Sequence, residues 1–200
     1  MPKGVPNKRY TPEFKKLVIE TMQQEGLSYA ERERRHPMFY KTSYFSPLGE
    51  LTLAADETSL VALVMDGQKY EALHIPDAAT EERTPVLQKA CLWLDAYFAG
   101  QDAPRPPLSL YGTDFQKRVW RELLTIPKGK TCTYGCLATA LNSSARAVGN
   151  AVGHNPISIL IPCHRVLGSD GSLTGYAGGL RRKEMLLELE GALKGHRGIQ

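Results

Sequence analysis

The sequence has no apolar run long enough to cross a bilayer; the most apolar stretches, such as Ser59 to Met65, fall far short of the roughly 20 residues a membrane helix needs. The start, Met1-Pro2-Lys3-Gly4, is basic, but no apolar segment follows it. No secretory signal is visible, and a cytoplasmic, reducing compartment is expected. The four cysteines (Cys91, Cys132, Cys136 and Cys163) are then expected to be thiols and not a disulfide framework. Cys132 and Cys136 are four positions apart, but no histidine lies near them before His154, so they fall short of a zinc set. No metal and no other cofactor is expected. Internal repeats and low-complexity tracts are missing too, which excludes solenoids and arrays.

What is present fits a soluble domain. A 42% hydrophobic content in 200 residues supports one substantial core or two small ones. The net charge of +4 conceals an uneven distribution. Residues 1–37 hold eight Lys/Arg against five Asp/Glu, residues 38–110 five against ten, and residues 111–200 twelve against six. The last ninety residues are therefore the expected face for an anionic partner. A solvated surface with scattered charge is the alternative that charge alone leaves open.

Three segments follow from the pattern. In residues 1–37, Thr11-Pro12-Glu13 starts a helix with Phe14, Leu17, Val18 and Met22 as its stripe. Ser28 to Glu31 is a capping box for a second short helix, cut off at Pro37. Residues 38–107 open with strands at Tyr40–Phe45, Leu51–Ala54 and Leu60–Met65, an expected antiparallel meander. Thr84-Pro85 then starts an amphipathic helix through Phe98, with Val86, Leu87, Ala90, Leu94 and Phe98 inward and Gly100 after it. Residues 101–107, rich in proline, are expected to form a stiff exposed linker and a domain boundary. Residues 108–200 are expected to be mainly helical. One helix is capped by Thr113 or Asp114, a second runs from Thr133-Tyr134 to Leu141, Asn142-Ser143-Ser144 turns the chain, and a third spans Ala145 to about Val152. That layout is a helix-turn-helix, whose last helix enters a DNA groove.

The third helix carries one large cation, Arg146, among small residues that include Ala145, Ala147 and Gly149. Small side chains allow the close approach that a minor groove demands, and a lone Arg beside them can enter the base stack. Close helix packing would use the same residues. Downstream, Cys163 is followed by His164 and Arg165, either of which would raise its thiolate fraction. Neighbouring side chains point apart, so His164 needs a bridging water to take the Cys163 proton. It also needs an acceptor on its other nitrogen, for which Glu190 is the chief candidate. A buried structural cysteine and a thiol protease are the competing explanations of a Cys-His pair. The protease would leave the helical module and the charge split unexplained.

From Phe115-Gln116 to Glu190-Gly191 the chain resembles the methylated-DNA–protein-cysteine alkyltransferases. The matching pieces are Val119-Trp120, Ile126 to Thr131, Thr133-Tyr134, Arg146 to Gly149, Asn155-Pro156, Ile161 to Val166, Gly175-Tyr176, and Lys183 with Leu186-Leu187, in family order and spacing. Residues 39–110 resemble the family's variable N-terminal domain more loosely. The resemblance implies an α+β fold. It consists of a small N-terminal domain with an antiparallel sheet and helix, ribonuclease H-like in the family, and a mostly helical, winged-helix or helix-turn-helix-like C-terminal domain.

It also implies a monomer acting on double-stranded DNA that contains O6-alkylguanine, with O4-alkylthymine as a further candidate, and no membrane association. In the family's mechanism the Arg146 helix occupies the minor groove, and Arg146 replaces a nucleotide flipped into a pocket near Cys163. Tyr134 faces guanine N3, and the carbonyls of Cys163 and Val166 read the exocyclic amine. Tyr176 belongs to the substrate side, Asn155 braces the turn before Cys163, and Lys183 lies near Tyr134. Glu190, His164 and water deprotonate Cys163, which keeps the alkyl group for good.

Ala177 stands where some members have a serine that contacts guanine O6. The zinc pattern of some N-terminal domains and the cysteine-rich leader of fused regulatory members are both absent. Residues 1–37 instead resemble the start of insertion-element transposases without a recognition helix, and Met38 reads as a fresh start. A damage sensor that flips the base without reacting and a transposase-derived regulator remain as alternatives. Cys163 with His164 and Glu190 stands against the first, and the missing recognition helix against the second.

Overall fold

Residues 38–69, 74–75 and 79–193 are described in a computed structural model. The helices expected in residues 1–37 lie outside them. Strands β1 (Tyr40–Ser46), β2 (Gly49–Ala55) and β3 (Leu60–Met65) form the expected meander. Tyr40 faces Ala55 across the first ladder and Leu51 faces Met65 across the second. The turn between β1 and β2 is closed by Ser46, whose hydroxyl donates to the Gly49 carbonyl at 2.7 Å, with Gly49 at φ 103°. A two-residue strand that sequence patterning did not reveal, β4 (Thr80–Glu81), pairs parallel with β1, giving the order β3-β2-β1-β4.

All six residues of β3 are buried, which the run Leu-Val-Ala-Leu-Val-Met makes favourable. Burying each Leu or Val side chain fully contributes roughly 1.5–3 kcal/mol. One face of the sheet is covered by α1 (Pro85–Phe98), capped by Thr84, through Val86, Leu87, Ala90 and Leu94. Tyr97 is buried as well, while Phe98 is only half-buried.

The outer edge of β3 does not meet water. The Leu60 N–H donates to the Pro107 carbonyl and the Leu63 N–H to the Pro156 carbonyl, with return bonds from Ser109 and Ser158. The stiff linker expected at 101–107 is tied to β3 at its end. Most of its side chains are exposed, but Pro106 is buried. The same pairing satisfies a strand edge that would otherwise invite association. It also joins the two halves of the chain, and one hydrophobic cluster runs from Leu48 to Leu186.

Three helices follow in the expected order. α2 (Asp114–Leu123) is capped by Thr113 in a full capping box with Gln116. α3 (Tyr134–Ala140) is capped by Thr133, and α4 (Ala145–Gly153) by Ser144. Asn142 turns the chain between them at φ 50°, a conformation that asparagine tolerates. Trp120 of α2 is buried and donates its indole N–H to the Ala151 carbonyl at 2.9 Å, locking α2 to α4. Two pieces were not visible in the pattern. Strands β5 (Cys132–Thr133) and β6 (Val166–Leu167) pair in parallel, and α5 (Leu180–Leu189) closes the core with Lys183, Leu186 and Leu187.

Candidate active site

Cys163 begins a single 3-10 turn, Cys163–Arg165, directly after Pro162. One side chain sets its position. Asn155 donates Nδ2 to the Ile161 carbonyl at 2.8 Å and to Cys163 Sγ at 3.0 Å, while its Oδ1 accepts from the Ile157 N–H at 3.0 Å. The segment between is compressed, and Ile159 sits at φ 69°. That is costly for a β-branched residue and persists only where neighbours enforce it. Cys163 is buried, and burial pushes its thiol up, against the pull of the Asn155 hydrogen bond and the Lys183 charge. At neutral pH the resting group is a thiol, so reaction needs a base.

His164, next in the chain, has the chemistry of one. Its Nε2 lies 3.0 Å from Glu190 Oε1. An ionised carboxylate only accepts, so Nε2 carries the hydrogen and Nδ1 the lone pair. Burial lowers the His164 pKa, partly offset by Glu190, which keeps the ring neutral and able to accept a proton. Nδ1 is buried with no hydrogen-bond partner among the described residues.

Glu190 itself is held by four donated hydrogen bonds. Besides His164 they come from Arg165 Nε at 2.8 Å, Arg165 Nη2 at 2.7 Å and the Tyr97 hydroxyl at 2.7 Å. Burial alone would raise the carboxyl, but the bonds from His164, Arg165 and Tyr97 outweigh it and hold Glu190 well below the usual carboxylate range. Arg165 was one of two candidates, with His164, for raising the thiolate fraction of Cys163; its guanidinium instead bonds Glu190 and the Ile126 carbonyl. Tyr97 was missed. It sits beside Phe98 at the end of an apolar stripe, and only its hydroxyl marked it as a group that seeks a buried partner.

Above the thiol is a cleft of about 560 Å³, lined among others by Tyr134, Gly149, Gly175, Tyr176 and Ala177. Tyr134 and Tyr176 lie close enough to Cys163 for a thiolate there to raise both phenols, and burial together with that charge pushes Tyr134 up to about 12. The Tyr134 hydroxyl donates to the Gly175 carbonyl at 2.9 Å. A side chain at Gly175 would meet that hydroxyl at 3.0 Å, and its φ of 57° also favours glycine. Lys183 is fully buried and donates to the carbonyls of Val166 and Thr174 at 2.5 and 2.6 Å. Its ammonium thus lies under the cleft and off the exposed surface, and burial lowers it to about 8. Lys69, from the N-terminal half, also lines the cleft and donates its backbone N–H to the Ala177 carbonyl.

Beside this cleft α4 turns Ala145, Arg146 and Asn150 to solvent, with Ala147 and Gly149 half-buried and Val148, Ala151 and Val152 inward. Arg146 makes no hydrogen bond or ion pair among the described residues. The fold and the site together therefore define a protein with a buried thiol and its own base, set below a helix-turn-helix whose last helix is exposed.

Comparison with known proteins agrees. Residues 114–192 match the family model of the 6-O-methylguanine DNA methyltransferase DNA-binding domain, and residues 39–108 that of its ribonuclease-like domain. The methylated-DNA–protein-cysteine methyltransferase of Mycobacterium tuberculosis is 47% identical over 159 residues, covering 76% of this chain and 93% of that protein. The Haemophilus influenzae protein of the same name is 43% identical over 155 residues, covering 76% and 86%. The crystal structure of Mycobacterium tuberculosis OGT in complex with DNA superposes with a TM-score of 0.69 at 45% identity, covering 78% of this chain and 93% of that one. The chain belongs to the methylated-DNA–protein-cysteine methyltransferase family.

Proposed function

We propose that the chain repairs alkylated DNA by moving the alkyl group from O6 of guanine to Cys163, once per molecule. The observation that carries this assignment is the pairing of a buried thiol with a neutral His164 whose Nε2 is fixed on Glu190. The Cys163 proton passes through water to His164 Nδ1, and Glu190 stabilises the imidazolium that forms. Sulfur then attacks the alkyl carbon, the S–C bond forms as the C–O6 bond breaks, and guanine leaves as its conjugate base and takes up a proton. A thioether has no leaving group that water can displace, so Cys163 stays alkylated.

The target base is brought to Cys163 by flipping. α4 enters the minor groove, where Ala145, Ala147 and Gly149 permit close approach and Arg146 fills the gap in the stack. Tyr134 and Tyr176 flank the base in the cleft, and the Cys163 and Val166 carbonyls accept from its exocyclic amine. Val166 does so with the lone pair that Lys183 leaves unused. Asn155 fixes the turn. In this assignment residues 38–107 form the N-terminal α/β domain and residues 108–200 the DNA-binding and alkyl-acceptor domain, a monomer acting in the cytoplasm. Among the described residues no helix is long and apolar enough to cross a membrane.

The test is an intact-mass measurement after incubation with O6-benzylguanine or an O6-methylguanine duplex. One adduct per molecule, mapped to Cys163, is the expected result; turnover beyond one, or an adduct that persists in Cys163→Ala, would overturn the assignment. An O4-methylthymine duplex in the same assay decides whether that base is a second substrate.

A further inference from the structure

A second cavity, of about 240 Å³, opens behind Glu190 and shares no residue with the cleft above Cys163. Three cations line it: Arg105, Lys128 and the buried Arg165. We propose that this cavity binds a phosphate-class oxyanion, held between the Arg105 and Arg165 guanidinium groups with Lys128 at its side. This site stands whether or not Cys163 reacts as argued above.

Donor accounting supports the assignment. A guanidinium has five N–H groups. Arg165 uses three among the described residues, two on Glu190 and one on the Ile126 carbonyl, which leaves two on a buried group. Arg105 has no ion-pair partner among the described residues, and Lys128 donates only to the Gly100 carbonyl, at 3.3 Å, with its ammonium over the Tyr97 ring at 5.6 Å. Burial lowers the Arg105 pKa, and the like charge of Arg165 on the same cavity wall lowers it further.

Asp102 is the one carboxylate in the lining, and it forms no ion pair there. Three cations against Asp102 and the Glu190 behind Arg165 leave a net positive site. Paired guanidinium groups suit an oxyanion because their N–H forks match its oxygens.

The rest of the wall suits a ligand with an apolar body on that oxyanion. Trp93 and Tyr97 stack at 5.1 Å between ring centres, 16° from parallel. Trp93 and Arg105 continue into an adjoining groove of about 440 Å³ that includes Leu92, which is 59% exposed. The phosphate can come from a free small molecule or from the backbone of a DNA strand, and the experiment separates these.

The full-length protein is titrated with inorganic phosphate against chloride at constant ionic strength, following indole and guanidinium N–H signals by NMR. The Trp93 indole and Arg165 Nε signals should shift and saturate, while the Trp120 indole, bonded to Ala151, should not move. Affinity should fall by at least about tenfold in Arg105→Ala/Lys128→Ala, two fewer charge-assisted contacts, and recover in part in Arg105→Lys. Unsaturable drift, or equal affinity in the double variant with its melting temperature intact, would overturn the proposal. An undamaged duplex is then titrated into Arg146→Ala. A saturating Trp93 shift assigns the phosphate to DNA, and silence with the duplex alongside saturation by phosphate assigns a free oxyanion.

Discussion

The two sides of the site treat polar groups in opposite ways. Beneath the cleft nearly every polar atom is spent: Glu190 accepts four hydrogen bonds, Asn155 makes three, and Lys183 is bound to two carbonyls. His164 Nδ1 stays without a partner among the described residues, and under the proposed function it is the atom that receives the proton. On α4 the reverse holds, since Arg146 makes no bond among the described residues and its neighbours are small. A reacting group must be held before the substrate arrives, because reorganisation at the moment of reaction costs rate. A groove-binding face must keep its donors unused, because bonds already made inside the protein are not available to DNA.

The comparison breaks most completely at Cys163. Cys163→Ala should take up no alkyl group at all in the mass assay while still binding DNA, as measured by fluorescence anisotropy. Next in size is Glu190→Ala. Removing one member of a buried ion pair leaves Arg165 uncompensated, a loss of about 3–5 kcal/mol in urea unfolding.

The carboxyl also sets an acid limit. Folded Glu190 releases its proton more readily than an unfolded glutamate does. The unfolded chain therefore takes up protons first as pH falls below the ordinary value of 4.5, and stability drops from there. Wild type should lose stability more steeply than Glu190→Gln between pH 5 and pH 3; equal slopes would show that the pair contributes nothing.

Arg146→Ala tests the opposite side. Its reaction with duplex DNA should fall by about tenfold or more, with free benzylguanine changed by less than about twofold, because a groove contact acts only through the duplex. Equal losses on both would place Arg146 in the reacting machinery and end the contrast. The smallest effect expected is that of Tyr97→Phe. Losing one of four donors to Glu190 should cost about 1–3 kcal/mol of stability with activity retained, since the bond runs to a charged group.

The exposed half was the more legible in sequence. Helix starts announce themselves through local capping chemistry, so Thr84, Thr113, Thr133 and Ser144 all mark real N-termini. The β-meander followed from alternation and from the turn at Ser46–Gly49. What sequence hid were contacts between distant segments. The β5–β6 ladder joins residues more than thirty positions apart, two at a time, and β4 is equally short. The clamp of Tyr97 and Arg165 on Glu190 spans up to 93 positions. The pairing of His164 with Glu190, expected from sequence, is present in the fold at 3.0 Å. Sequence left open whether His164 or Arg165 serves Cys163, because adjacency says nothing about which way a side chain points around a tight turn.

Asn155 illustrates how little latitude such a site leaves to mutation. Its amide must present a donor to sulfur and to the Ile161 carbonyl, and an acceptor to Ile157, from a side chain of one fixed length. Aspartate has no donor and would set a negative oxygen against a thiolate. Glutamine is one methylene too long, and serine and threonine offer a single oxygen for three tasks. Of the twenty amino acids only one carries the required ends at the required reach, so this position has no neutral neighbours in sequence space. The small residues around Arg146 on α4 can drift among their kind, whereas Asn155 can only be kept or lost.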